Sequence, residues 1–269
     1  MRIVRFWDAT SNRPRYGVLE GDVVNEIEGE PYGELKRTNA NHKLSGLRLL
    51  APCQPTKIIC GGLNYVGHAK ETGQAIPKVP PVWPKALSAL IGPDEPIQYP
   101  PETERLEFEA ELTVVVGRTM RNVAPEDVAS HILGYTCGND VTARDMQIES
   151  PINLAISKSF DTFCPIGPWI ETDLDPSALD IVLTVDGKVR QKTNTSDMIF
   201  PVPQMLSYFS HLMTLLPGDV ILTGTPEGIG RMEIGQTCAI TIQGIGTLSN
   251  PIVASPLRAA KAWLADSSG

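Results

Sequence analysis

Phe108-Glu109-Ala110-Glu111-Leu112-Thr113-Val114-Val115-Val116-Gly117 decides how the chain is read. Leu112 to Val116 is an apolar, β-branched run, the pattern of a buried strand. Side chains alternate faces along a strand, so Glu109 and Glu111 point the same way. Two adjacent carboxylates repel, and one protonates unless a cation lies between them. An all-oxygen donor set suits a hard divalent ion (magnesium, calcium or manganese) rather than zinc. A bare acidic pair more often marks a solvated strand end, so the surrounding chain has to decide between the two.

Upstream, Lys57-Ile58-Ile59-Cys60-Gly61-Gly62-Leu63-Asn64-Tyr65-Val66-Gly67-His68-Ala69-Lys70-Glu71 reads as a short strand, a glycine turn and a polar segment. The diglycine allows a sharp turn or a close ligand approach. A helix over 66–72 puts His68 and Glu71 at i, i+3 on one face. Either Glu71 fixes the imidazole tautomer and makes His68 a general base for water, or the two form an ordinary surface pair. Ile76 to Pro101 carries eight prolines and predicts a loop, of the kind that walls or covers a site. Lys85 and Ser88 lie within it and either meet an anionic substrate or face solvent.

Downstream, Ala124-Pro125-Glu126-Asp127 opens a helix with proline and acids in its first turn. Ile132 to Asn139 reads as a strand ending at Asp140, the candidate third carboxylate. Arg144 and Asp145 follow, with internal ion pairing as an alternative use for either. Lys158 leads into an aromatic and proline turn, where its charge would hold a carboxylate or a developing oxyanion. Ile181 to Arg190 predicts a hairpin around Asp186-Gly187. Val202, Met205, Leu206, Phe209, Leu212 and Met213 mark an amphipathic core helix. Val220-Ile221-Leu222 is a strand feeding Thr223-Gly224-Thr225-Pro226-Glu227-Gly228-Ile229-Gly230. That loop either offers its amides and the Thr225 hydroxyl to a substrate carboxylate or is a plain glycine loop. A last hairpin spans Ala239 to beyond Gly246, and Pro256 to Ala265 predicts a terminal helix.

The whole composition narrows the class. With 269 residues and 42% hydrophobic content the chain buries a large core. Residues 1–50 form a small β-rich unit, with strands at Arg2–Phe6, Tyr16–Leu19 and Val23–Ile27, and Ala51-Pro52 begins a catalytic unit over 51–269. The net charge of −8 argues against nucleic acid and anionic membrane as partners. Five cysteines, odd in number and without a CxxC pair, read as buried thiols in a reducing compartment. Met1 to Asp8 has no signal-peptide core and no apolar run approaches a membrane span, so a cytoplasmic protein is expected.

From Lys57 to Val253 these segments, in this order, resemble the fumarylacetoacetate hydrolase family. The resemblance rests on Gly62 to Glu71, Glu109 and Glu111, Asn139 to Gln147, Lys158 to Pro168 and Gly224 to Gly230. The N-terminal unit is similar to the N-terminal region of bacterial and fungal members. The resemblance implies an α+β, mainly β fold with a mixed β-sandwich or β-roll core, and a homodimer. It implies a divalent ion, magnesium with manganese or calcium as alternatives, held by Glu109, Glu111 and Asp140. His68 and Glu71 would be the water-activating dyad with Lys158 as the third catalytic group, and Gln147, Thr225 and Arg144 would bind the substrate. The implied activity is hydrolysis of a carbon–carbon bond in a 2,4-dioxo acid of acylpyruvate or fumarylpyruvate type, through the enolate of pyruvate. Oxaloacetate decarboxylation, or keto–enol tautomerisation and isomerisation of 2-hydroxyhepta-2,4-diene-1,7-dioate type, uses the same electron sink. A non-catalytic metal-binding member is the remaining alternative. Leu63 stands where some relatives carry arginine, which bears on dicarboxylate substrates. The lysine–proline order differs in Trp83-Pro84-Lys85-Ala86, so no role is assigned to Lys85. Ile148 to Ile156 is shorter than in many relatives and lacks their Gln-Trp pair.

Overall fold

Leu112–Val116 is the middle of the molecule. In the computed structural model, which describes residues 1–257, every residue of the strand Ala110–Val116 is buried. It pairs antiparallel with Ile132–Asn139 on one side and with Val220–Leu222 on the other. Beyond Val220–Leu222 lie Ile58–Gly61, joined in parallel, and then Val82–Lys85 at the edge. In the other direction Ile132–Asn139 pairs with Cys164–Glu171, which pairs with Arg2–Asp8. Arg13–Glu20, Val23–Ile27 and Arg37–Lys43 continue the same sheet. The N-terminal strands thus join the central sheet through Arg2 opposite Glu171. Glu171 also accepts the Met1 ammonium at 2.7 Å and Arg2 Nε at 3.2 Å.

A second sheet runs Lys188–Asn194, Asp180–Val185, Thr237–Ile242, Gly246–Ala254 and Ile97–Tyr99. Alternation of buried and exposed residues in Asp180–Val185 and Thr237–Ile242 gives it one apolar face. That face packs on the central sheet, and one apolar core runs through both. A small third sheet joins Thr142–Ala143, Leu106–Phe108 and Gly230–Arg231. Helices are short: α1 (Val66–Glu71), α2 (Arg144–Glu149) and α3 (Val202–Leu212). The fold is α+β and mainly β. No described helix is long and apolar enough to cross a membrane.

Two expectations change. Ile76 to Pro101 is not one long loop, because Val82–Lys85, Leu90–Ile91 and Ile97–Tyr99 each pair as strands. Pro84 is tolerated because its strand is the sheet edge, where no ladder hydrogen bond is lost on the outer side. The helix expected near Pro125 is a 3-10 segment, Pro125–His131. The terminal helix expected over Pro256–Ala265 lies, past residue 257, outside the described residues. The five cysteines are free and buried.

Candidate active site around three buried carboxylates

Glu109 sits at a break between two strands, after Leu106–Phe108 and before Ala110–Val116. Its N–H donates to Asn139 Oδ1 at 3.0 Å, and its carbonyl accepts from the Asp140 N–H at 3.0 Å. The break therefore aims Glu109 and Asp140 at the same place as Glu111. An oxygen of each lies within 4.8 Å of the others, and all three residues are buried.

Buried carboxylates need partners. Lys158, itself buried, donates to Glu109 Oε2 at 2.8 Å, Asp140 Oδ2 at 2.7 Å and Thr142 Oγ1 at 2.8 Å. Lys85 donates to the other oxygen of Asp140. Arg144 bridges Glu107, at 2.7 Å from Nε, and Glu109. Burial disfavours the Glu109 carboxylate, but Lys158 and Arg144 outweigh it and hold the group well below its usual range. Burial likewise disfavours the Lys158 ammonium, but Asp140 and Glu109 raise its pKa.

Glu111 differs. Among the described residues it has no ion-pair partner, and accepts one hydrogen bond at 2.6 Å from the Gly224 N–H. Burial, then the charges of Asp140 and Glu109, push its carboxyl well above the ordinary value. Three converging hard oxygen donors, one of them without a compensating cation, fit a hard divalent ion.

The dyad stands on α1. His68 Nδ1 lies 3.0 Å from Glu71 Oε2, with His68 buried and Glu71 partly exposed. This leaves the second ring nitrogen free of Glu71. Gly62 explains the turn before α1: a Cβ there would meet the Trp83 ring at 2.1 Å. The same ring lies under Lys158, whose Nζ is 5.6 Å from its centroid.

The loop after Val220–Leu222 ties these groups together. Gly224, at φ +96°, donates to Glu111, and its Cβ would meet Asn64 Cβ at 2.6 Å, so glycine is required. The Gly228 N–H donates to Glu71 Oε1 at 3.0 Å. Two of the amides that this loop offered to a substrate thus hold the Glu111 and Glu71 carboxylates instead. Thr225 is buried and its hydroxyl accepts from Gln191 Nε2 at 2.9 Å.

Of the residues expected at the site, Glu109, Glu111, Asp140, Lys158 and Arg144 are in direct contact with one another or with their immediate partners. Gln147 joins through its side-chain bond to Arg144. Arg144 is held by Glu107 and Glu109, the internal pairing left open for it. Asp145 is held by Thr103 and by the Glu104 N–H at 2.7 Å. Lys85, for which solvent or substrate was expected, is buried against Asp140, while Ser88 is exposed. Asn139, Glu107 and Gln191 were not singled out from the sequence. Asn139 lay within the matching segment, whereas Gln191 sits in a polar strand where nothing distinguishes it.

Residues 57–253 match the family model described as Fumarylacetoacetate (FAA) hydrolase C-terminal, and residues 1–52 one described as Rv2993c-like, N-terminal. The chain is 36% identical over 288 residues to the mitochondrial oxaloacetate tautomerase fahd2 of Xenopus laevis, covering 94% of this chain and 90% of that protein. Its structure is similar to the crystal structure of a 5-carboxymethyl-2-hydroxymuconate delta-isomerase from Mycobacterium smegmatis. That likeness has a TM-score of 0.89 and 42% identity, over 95% of this chain and 100% of the other. A maleylpyruvate hydrolase from Sphingobium sp. SYK-6, in complex with manganese(II) and pyruvate, is similar with a TM-score of 0.78 and 32% identity. It too is matched over 95% of this chain and 100% of its own. With most of its length matched in sequence and in fold, the chain belongs to the fumarylacetoacetate hydrolase family.

Proposed function

We propose that the protein hydrolyses a carbon–carbon bond in a 2,4-dioxo acid of the acylpyruvate type, releasing a carboxylic acid and pyruvate. The observation that carries this reading is the His68–Glu71 pair, braced through Gly228 on the same loop whose Gly224 holds Glu111. A base and a carboxylate cluster braced by one loop suit an attacking water on one side and an electron sink on the other.

Glu109, Glu111 and Asp140 would hold a divalent ion, magnesium or manganese, which when bound supplies Lewis-acid stabilisation for the enolate of the leaving pyruvate. His68 takes a proton from water as that water attacks the distal carbonyl, and Glu71 steadies the imidazolium. Lys158 exchanges its Thr142 contact for the developing oxyanion. Thr225 and Gln147 contact substrate oxygens, and Arg144 holds Gln147 for that contact. As the bond between the attacked carbonyl and the adjacent carbon breaks, its electron pair stays on the pyruvate fragment, which then takes up the proton held by His68. A homodimer is part of this reading, tested by light scattering on purified protein.

The tautomerase and isomerase names among the relatives favour a second reading, in which His68 moves a carbon-bound proton of a 2-oxo diacid and no water is added. A panel of acetylpyruvate, fumarylpyruvate, oxaloacetate and a hydroxymuconate-type diacid, assayed with magnesium and with manganese, separates the two. Pyruvate release from acetylpyruvate supports hydrolysis; ketonisation of oxaloacetate with inert acylpyruvates supports the second. No turnover of any, together with a manganese-dependent rise in melting temperature, points to a metal-binding protein without catalysis.

A further inference from the structure

Gln191 is the single buried residue of its strand's first five, Lys188 to Lys192, in a stretch otherwise facing solvent. Its side chain reaches two parts of the site at once. Oε1 accepts from the Ala110 N–H at 2.9 Å, the amide between Glu109 and Glu111. Nε2 donates to Thr225 Oγ1 at 2.9 Å and to the Pro226 carbonyl at 2.9 Å.

The orientation of this amide is forced. A main-chain N–H requires an oxygen on one side, and a main-chain carbonyl requires an N–H on the other. Thr225 lies on the nitrogen side, so its oxygen must accept. Its own proton is left without an acceptor among the described residues, although Thr225 is buried. A buried hydroxyl proton without a partner is costly, and a ligand oxygen is the natural acceptor.

We infer that Gln191 is a positioning residue that turns the Thr225 hydroxyl into a dedicated donor, so that the substrate group seated at Thr225 bears an acceptor oxygen, a carboxylate or a carbonyl. The inference rests on the proposed oxo-acid reading and deepens it. Gln191 touches no substrate; it acts through Thr225.

Gln191→Glu tests this. The glutamate still accepts from Ala110 but presents an acceptor to Thr225, whose proton then turns towards it and away from the site. Pyruvate binding to the manganese-saturated full-length protein is measured by calorimetry for wild type, Gln191→Glu, Thr225→Val and the double variant. Each single variant is expected to weaken pyruvate at least about tenfold, the size of one lost bond to a charged group. The double variant is expected to lose no more than about twofold beyond either, because both changes remove the same donor. In turnover of acetylpyruvate, KM rises by more than kcat falls. The manganese-induced shift in melting temperature stays at the wild-type value in Gln191→Glu, because the Ala110 contact survives. Gln191→Met, neutral and of similar length, goes through the same cycle; it keeps the result readable if the glutamate repels pyruvate directly or unfolds the chain. Losses that multiply in the double variants overturn the inference, as does a Gln191→Glu protein that binds pyruvate like wild type. Failure of wild type to cleave acylpyruvates while still binding pyruvate overturns the proposed hydrolysis and leaves this inference standing. Wild type that does not bind pyruvate at all overturns both.

Discussion

Lys158 Nζ lies 2.7 Å from Asp140 Oδ2, and the same ammonium is 2.8 Å from Glu109 Oε2. A buried lysine thus occupies the space between two of the carboxylates expected to hold a cation. Replacing Lys158 with Met removes one charge from a network that carries no spare cation. Breaking a buried pair from one side costs about 3–5 kcal/mol. The metal-free variant is expected to melt well below wild type, and manganese to raise its midpoint by more than it raises wild type. Scanning calorimetry with chelator and with manganese measures both. A variant that keeps wild-type stability without metal would show that the pair contributes nothing.

Glu111 should reveal itself through pH. Burial, with Asp140 and Glu109 beside it, raises its folded pKa well above the ordinary carboxyl value of 4.5. The folded state therefore holds a proton that the unfolded chain has released. Stability from this group is fully present below about pH 4.5 and falls as pH rises towards the folded pKa. Glu109 has the opposite sign: its lowered pKa supplies stability above 4.5 that is lost in acid. In chelator, Glu111→Gln is expected to melt higher than wild type at about pH 8, with the difference shrinking towards about pH 5. Manganese binding to wild type should release a proton, seen as a binding heat that varies with the ionisation enthalpy of the buffer. Equal heats in all buffers would contradict the assignment.

The dyad predicts a cleaner separation. His68→Ala removes the proposed base but none of the three carboxylates proposed to hold the ion. Turnover of an acylpyruvate is expected to drop about 10²–10⁴-fold, while the manganese-dependent melting shift stays at the wild-type value. Glu71→Gln keeps a hydrogen bond to the ring and to the Gly228 N–H, so its loss should be smaller than that of His68→Ala. Steady-state kinetics on both variants checks the order.

Much of this was legible in the residues themselves. The β-branched run Leu112–Val116 specified its own burial, and the i, i+3 spacing of His68 and Glu71 became a hydrogen bond because six residues were enough to form α1. Glu109 and Glu111 share a site, but Glu109 does so from a break between strands, which alternation along one strand does not describe. The misreadings share one cause, tertiary context. Prolines argue against strands, yet Pro84 lies in an edge strand where its missing N–H costs nothing. Gln191 has a polar side chain in a polar strand, and only the neighbouring loop and the Ala110 amide reveal it as buried. The pairing of Arg2 with Glu171, which joins the N-terminal strands to the central sheet, links residues far apart in the chain and leaves no local signal.

Lys85 and Ser88, three residues apart in the proline-rich stretch, give the sharpest contrast. Lys85 is buried in the strand Val82–Lys85, with Nζ on Asp140 and 3.4 Å from the Val141 carbonyl. Ser88 is exposed on the following turn. Lys85→Met leaves Asp140 with Lys158 alone, and is expected to cost about 3–5 kcal/mol in the metal-free protein. Ser88→Ala touches no described partner and should stay within about 0.5 kcal/mol of wild type. Urea titrations of the metal-free variants measure both values. Manganese held at the three carboxylates would also neutralise Asp140, so it should recover part of the stability lost in Lys85→Met and none of any small change in Ser88→Ala. Equal effects of the two substitutions would place Lys85 in solvent and remove it from the carboxylate cluster.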